Sequence, residues 1–373
     1  MAKFVIRRIL QAIPVLFGIT VVVYGILLAA PGGPEAKFAN NPRITQAQKE
    51  AFKEAWGLDQ PIPIQYCRWM GFCNPKTKGT FLGSLPAPAA FIGPSGLPNF
   101  LPGAMSGASN GVLHGDFGFS ISSGEQVSDR IVRAALPTLI LAGVALVVWL
   151  SIALLLGVYA AIHRYSLFDN ATTVFAYVGF AMPTFWLGIM LIFLFSGPGL
   201  NILPASGMTE TRASPPFGSD SYWVYFGGNP IAALLDIGKH LLLPVVTLVV
   251  VNIAGDSRFV RASMIESLGQ DYVRTAKAKG LSARAVNFKH ALRNALLPVI
   301  TNIGIEIPFL FTGAIVTETI FSWPGIGKLT IDATRSFDYP ILMGVLLVTS
   351  VMVVMANLLA DIAYGVIDPR IKY

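Results

Sequence analysis

Asn302 and Glu306 stand four residues apart, and so do Asn357 and Asp361. At helical spacing each pair shares one face, and each falls within an apolar run. Ionisable groups in such runs mark ion paths, proton relays or wet cavities. The chemistry open to them is ion coupling in a carrier or channel, or hydrogen bonding across helices. Neither acid has an evident cation within its own run. Cys67 and Cys73, in CRWMGFC, are the only cysteines. Their spacing permits a local disulfide if the backbone turns back. Two thiols without neighbouring histidines cannot fill a tetrahedral zinc site, and the four histidines are scattered, so no metal site is expected.

Catalytic signatures are missing. PGIGKL at 324–329 resembles the end of a phosphate-binding loop, but Ser322 stands where the first glycine is needed and Leu329 replaces the magnesium-binding hydroxyl. No H-E-x-x-H occurs either. A transporter or channel is expected rather than an enzyme, with no cofactor bound by this chain.

The other conspicuous stretch is QDYVRTAKAKGLSARAVNFKHALRNALLP, residues 270–298, with six Lys/Arg and one acid between two apolar runs. At 100° per residue, Tyr272, Val273, Ala276 and Gly280 form one stripe, while Arg274 and Lys277 point away. Gly280 suits a left-handed helix cap, and Ser282 can cap a second helix that carries Val286 and Leu292 into the next apolar run. The expectation is a helix–turn–helix elbow whose small-residue corner admits another protein. A basic helix held by anionic lipid is the competing reading.

The elements around these residues are set by composition. Only 13% of the 373 residues are charged, about half the usual share of a soluble domain, roughly 25%. Six runs, at 9–30, 136–162, 172–196, 234–254, 295–316 and 341–363, are long enough for a ~30 Å hydrocarbon layer. Prolines 14, 183, 244, 298 and 308 fall in or beside them, which membrane bundles tolerate where neighbours satisfy the freed carbonyls. The first run follows Lys3, Arg7 and Arg8 like a signal peptide, but its apolar core exceeds the usual ~7–15 residues. It is read as an uncleaved span. With the N-terminus inside, the inner segments hold fourteen Lys/Arg and the two short outer loops three. Both termini then face the cytoplasm. The net charge of +7 follows from that asymmetry and does not call for nucleic acid.

Three regions result: a first span over 1–30, an extracytoplasmic segment over 31–135, and a transmembrane core over 136–373. The external segment opens with an amphipathic helix after Thr45 that stops at Gly57. It then becomes Gly/Pro/Ser-rich over 74–111. A second outer loop carries Tyr222, Trp223, Tyr225 and Phe226, aromatics expected at the membrane–water interface. The fold class expected is an all-α integral membrane protein of six helices.

YVRTAKAKGLSARAVNFKHALRNALLPVIT resembles the EAA loop of ABC-transporter permeases, in the form found in the dipeptide/oligopeptide/nickel subfamily. Arg274, Thr275 and Ala276 occupy the Glu-Ala-Ala places, six residues before Gly280. IRRILQAIPVLFGITVVVYGILLAAPGGP, GLDQPIPIQY, GDFGFS, LPTLILAG, ETIFSWPGIGKL with DYP, and NLLADIAYGVIDPR are similar to that subfamily in the same order. Residues 74–111 look like an insertion relative to shorter members. The resemblance implies that the basic stretch docks on a cytoplasmic ATPase, with Arg274, Ala276, Lys277, Lys279 and Gly280 as coupling residues. It also implies a second homologous permease, two ATPase subunits carrying ATP and magnesium, an extracytoplasmic solute-binding protein, and residence in a bacterial or archaeal cytoplasmic membrane.

Overall fold

The computed structural model describes residues 2–29, 45–46, 50, 60–72, 111–197, 199–210 and 214–367, without the side chains at 2–5, 27, 303–313, 360 and 363–367. The helix expected after Thr45 and the insertion at 74–111 lie almost wholly outside the described residues. Eleven α-helices are described: α1 Ala2–Ala29, α2 Ile62–Met70, α3 Val127–Ile162, α4 Leu167–Ala181, α5 Thr184–Phe195, α6 Asp220–Gly228, α7 Pro230–Leu268, α8 Asp271–Ala278, α9 Leu292–Ile320, α10 Ile326–Arg335 and α11 Tyr339–Ile367. A π-helical turn, Ala285–Ala291, leads into α9. No strand occurs among the described residues.

Among the described residues, four helices are long and apolar enough to cross a bilayer: α1, α3, α7 and α11. The third expected span is broken. It consists of α4 and α5, bent by 102° at a short break where Met182 and Pro183 take extended backbone. Proline disfavours helix in the residue before it and withholds its own amide from the ladder. The fourth span also departs from expectation. Hydropathy falls at Asp256, which ended the expected run at 254, yet α7 continues to Leu268 because Val260 and Met264 remain buried at helical spacing.

The chain forms two compact units. The first comprises Met1–Leu10, Leu136–Lys328 and Met352–Tyr373. One part of its core gathers Leu141, Ala145, Trp149, Leu248, Ile253 and Trp323, and a second part lies under the elbow. Helices come close where glycine allows: a Cβ on Gly157 of α3 would lie 2.6 Å from the Ser257 carbonyl oxygen of α7.

The second unit comprises Gln11–Ala135 and Leu329–Val351. There α1 meets α2 through Tyr24, Tyr66 and Trp69, and Thr20 and Tyr66 share a 2.6 Å hydrogen bond. The fully buried Asp338 accepts from the Ser120 and Ser122 hydroxyls at 2.5 Å and from the Ile121 and Ser122 amides at 3.2 and 3.0 Å. That carboxylate fixes the loop before α3.

Candidate functional site

The elbow begins where α7 ends at Leu268. Val273 and Ala276, three residues apart on α8, face inward against Val260 and Met264 of α7, Val286 and Ala291 of the π turn, and Ala295 of α9. Ser267 ties the same elements, donating to the Ala291 carbonyl at 2.7 Å while sharing a 2.6 Å bond with the Tyr272 hydroxyl. The corner is a Schellman motif: Gly280 donates to Lys277 O at 2.9 Å and Leu281 to Ala276 O at 3.3 Å. Gly280 sits at φ +76°, a conformation that costs other residues roughly 1–2 kcal/mol. Ser282 accepts the Ala285 amide at 3.3 Å and starts the next turn. A π turn there is a feature often found at functional positions.

Arg274, Lys277, Lys279, Gly280 and Leu281 are exposed. Nothing lies within 4 Å of a Cβ built on Gly280, so the corner is open. Ala276 lies on the stripe it shares with Val273, and at 4% exposure it faces the chain's own core. It holds α8 in place while the charged residues present outward. The exposed Arg274–Asp271 pair at 3.3 Å contributes little to stability.

The polar residues of the spans separate. Asn302 Nδ2 donates to Asp256 Oδ1 at 3.2 Å, and Trp149 Nε1 donates to Asp256 Oδ2 at 2.6 Å. This buried node joins α3, α7 and α9. The Glu306 side chain lies outside the described residues. Asn357 is exposed. Asp361 does have a cation: Arg8 Nε lies 3.2 Å from its Oδ2. The sequence hides that partner because the two are 353 residues apart. Cys67 is on α2 and disulfide-bonded, while Cys73 lies outside the described residues. Among the described residues, no cluster of His, Cys, Asp or Glu could hold a metal ion.

Two further nodes carry no flag in the sequence. Glu318, fully buried, accepts from Thr138 Oγ1 at 2.7 Å and from the Lys328 amide at 3.0 Å. The glycines of PGIGKL let the loop close on it, since a Cβ on Gly327 would lie 2.6 Å from Ile315 Cα and 2.9 Å from Glu318 Oε2. The loop's amides therefore face the chain's own carboxylate, which accounts for its likeness to an anion-binding loop. Arg261 grips Asp169 through two nitrogens. Outside the spans, Phe217, Tyr222, Trp223 and Phe226 stack around α6, with Trp223 exposed and Tyr222 buried. Burial, with Asp236 nearby, raises the Tyr222 phenol above its ordinary value.

Residues 153–373 match the family of binding-protein-dependent transport system inner membrane components, and residues 1–92 match its N-terminal region. The chain belongs to that family. It is 37% identical to the oligopeptide transport system permease protein AppB of Bacillus subtilis (strain 168), over all of both chains. It is 34% identical to the dipeptide transport system permease protein DppB of Escherichia coli (strain K12), over all of this chain and 99% of the relative. With the di/tripeptide transport system permease protein DppB of Pseudomonas aeruginosa (strain UCBPP-PA14), the figures are 33%, 100% and 99%. The protein is thus a multi-pass membrane permease subunit of an ABC importer and not an enzyme. The elbow presents the exposed Arg274, Lys277 and Lys279 between α7 and α9.

Proposed function

We propose that this permease forms half the translocation pathway of an ATP-driven importer for peptides. Its full-length likeness to permeases named for oligopeptide, dipeptide and di/tripeptide transport carries the reading. In the proposed arrangement six spans cross the cytoplasmic membrane. α9 is the fifth of them in chain order, and its 29 residues reach about 43 Å at ~1.5 Å per residue. Both termini lie in the cytoplasm, 31–135 lies outside, and Cys67 pairs with Cys73 there. A second homologous permease completes the pathway, and a solute-binding protein delivers peptide.

Two ATPase subunits carry ATP and magnesium and dock on the elbow. The open Gly280 corner and the outward Arg274, Lys277 and Lys279 offer the contact, with Ala276 as the inward anchor. ATP-driven closure of the ATPases then moves α8 and re-packs the spans it rests on. The second reading, an ion-coupled carrier using Glu306 and Asp361, is disfavoured by the Arg8 partner that already neutralises Asp361. Growth rescue of a transport-deficient strain expressing the complete system tests the solute. Rescue by dipeptides or oligopeptides is expected, and rescue only by nickel or sugars overturns the peptide assignment.

A further inference from the structure

We propose that the Asp169–Arg261 ion pair is a positioning strut that carries displacement of the elbow into the broken span of α4 and α5. The inference rests on reading the elbow as an ATPase-docking joint. Arg261 Nε and Nη2 donate to Asp169 Oδ1 and Oδ2 at 2.5 and 2.7 Å, a bidentate fork that fixes orientation as well as distance. The Asp169 side chain is 2% exposed, and its Oδ2 also accepts the Tyr165 amide at 2.8 Å. Tyr165 there takes φ 65°, and Ser166 Oγ accepts the Asp169 amide at 3.2 Å. The carboxylate is thereby built into a rigid turn at the head of α4.

Arg261 is equally fixed on its other side. It follows Val260 and precedes Met264 by three residues, and both pack against Val273 and Ala276 of α8. One turn of α7 therefore supports the coupling helix with one face and grips α4 with the next. Two further contacts keep α4 on α7. The Arg258 guanidinium lies 4.3 Å from the Tyr177 ring centroid, and a Cβ on Gly179 would meet the Val250 carbonyl oxygen at 3.1 Å. Beyond them α4 ends at Ala181 and the chain turns by 102° into α5. A displacement of α4 is taken up at that break. Buried ion pairs often add little stability over apolar packing; what this fork supplies is register between two helices.

The test uses the complete complex in proteoliposomes, with the native cysteines replaced by serine and spin labels at Val174→Cys on α4 and Val316→Cys on α9, both exposed positions. Trapping with ATP, magnesium and vanadate is expected to shift the label distance. Arg261→Gln abolishes that shift and lowers radiolabelled dialanine uptake per ATP hydrolysed about tenfold, within the range of coupling between linked sites. ATPase co-purification stays unchanged. Arg261→Lys, which keeps the charge and loses the fork, gives a shift of intermediate size and carries the test if the glutamine variant fails to reach the membrane. A shift of wild-type size in either variant, or none in the unmutated complex, overturns the strut. Failure of the ATPase to co-purify with the unmutated chain overturns the docking reading itself, so the two failures are distinguishable.

Discussion

Asp256 shows what one carboxylate does when three apolar helices share it. Trp149 and Asn302 reach it from α3 and α9 at 2.6 and 3.2 Å. Asp256→Ala leaves the Trp149 indole N–H buried without that acceptor, at about 1–3 kcal/mol per unsatisfied group. The detergent-purified protein is expected to melt at a clearly lower temperature, with Asp256→Asn closer to wild type because it keeps an acceptor oxygen. Equal melting of the alanine variant and wild type would remove the node from the account. Gly327→Ala acts by crowding instead. Its methyl meets the Ile315 backbone and the Glu318 carboxylate, and overpacking of this kind costs about 1–3 kcal/mol. Membrane abundance should fall; unchanged abundance would mean that the PGIGKL loop can yield. Asn302 was legible beforehand as a polar residue in an apolar run, and its bond to Asp256 crosses helices as that reading allowed. The Trp149 contact and the Glu318–Thr138 contact were not, because a single buried acid has no periodicity and these partners lie 107 and 180 residues away.

Helices were legible where one physical signal governed them. The turn at Gly280 follows from glycine's access to positive φ, and the inward Val273 and Ala276 follow from spacing on α8. The break between α4 and α5 was less so, because Pro183 alone does not separate a tolerated kink from a 102° turn. The inner part of α7 was missed because hydropathy drops at Asp256 while burial continues. Gly280→Glu belongs at this scale. Any side chain there strains the backbone at φ +76°, yet a Cβ at this position has nothing within 4 Å, so insertion should survive. A carboxylate pressed into a docked partner adds several kcal/mol of desolvation cost. Normal membrane abundance, weakened ATPase association and little uptake are expected; full association with full uptake would reject docking at this corner. Replacing 74–111 by a short Gly-Ser bridge should leave insertion and ATPase association intact, because the segment is Gly/Pro/Ser-rich and has no helical or strand periodicity. Loss of the assembled complex would show the segment to be structural.

At the scale of the whole molecule, low charge and long apolar helices make a membrane protein, and full-length likeness makes it an importer permease. The energy source is the central claim. Uptake of radiolabelled dipeptide into proteoliposomes holding the complete complex and its binding protein measures it directly, with ionophores abolishing proton and sodium gradients. The account predicts that uptake requires ATP and magnesium and survives the ionophores. Uptake that needs an ion gradient and proceeds without ATP would contradict it, and would return Glu306 and Asp361 to the centre of the mechanism.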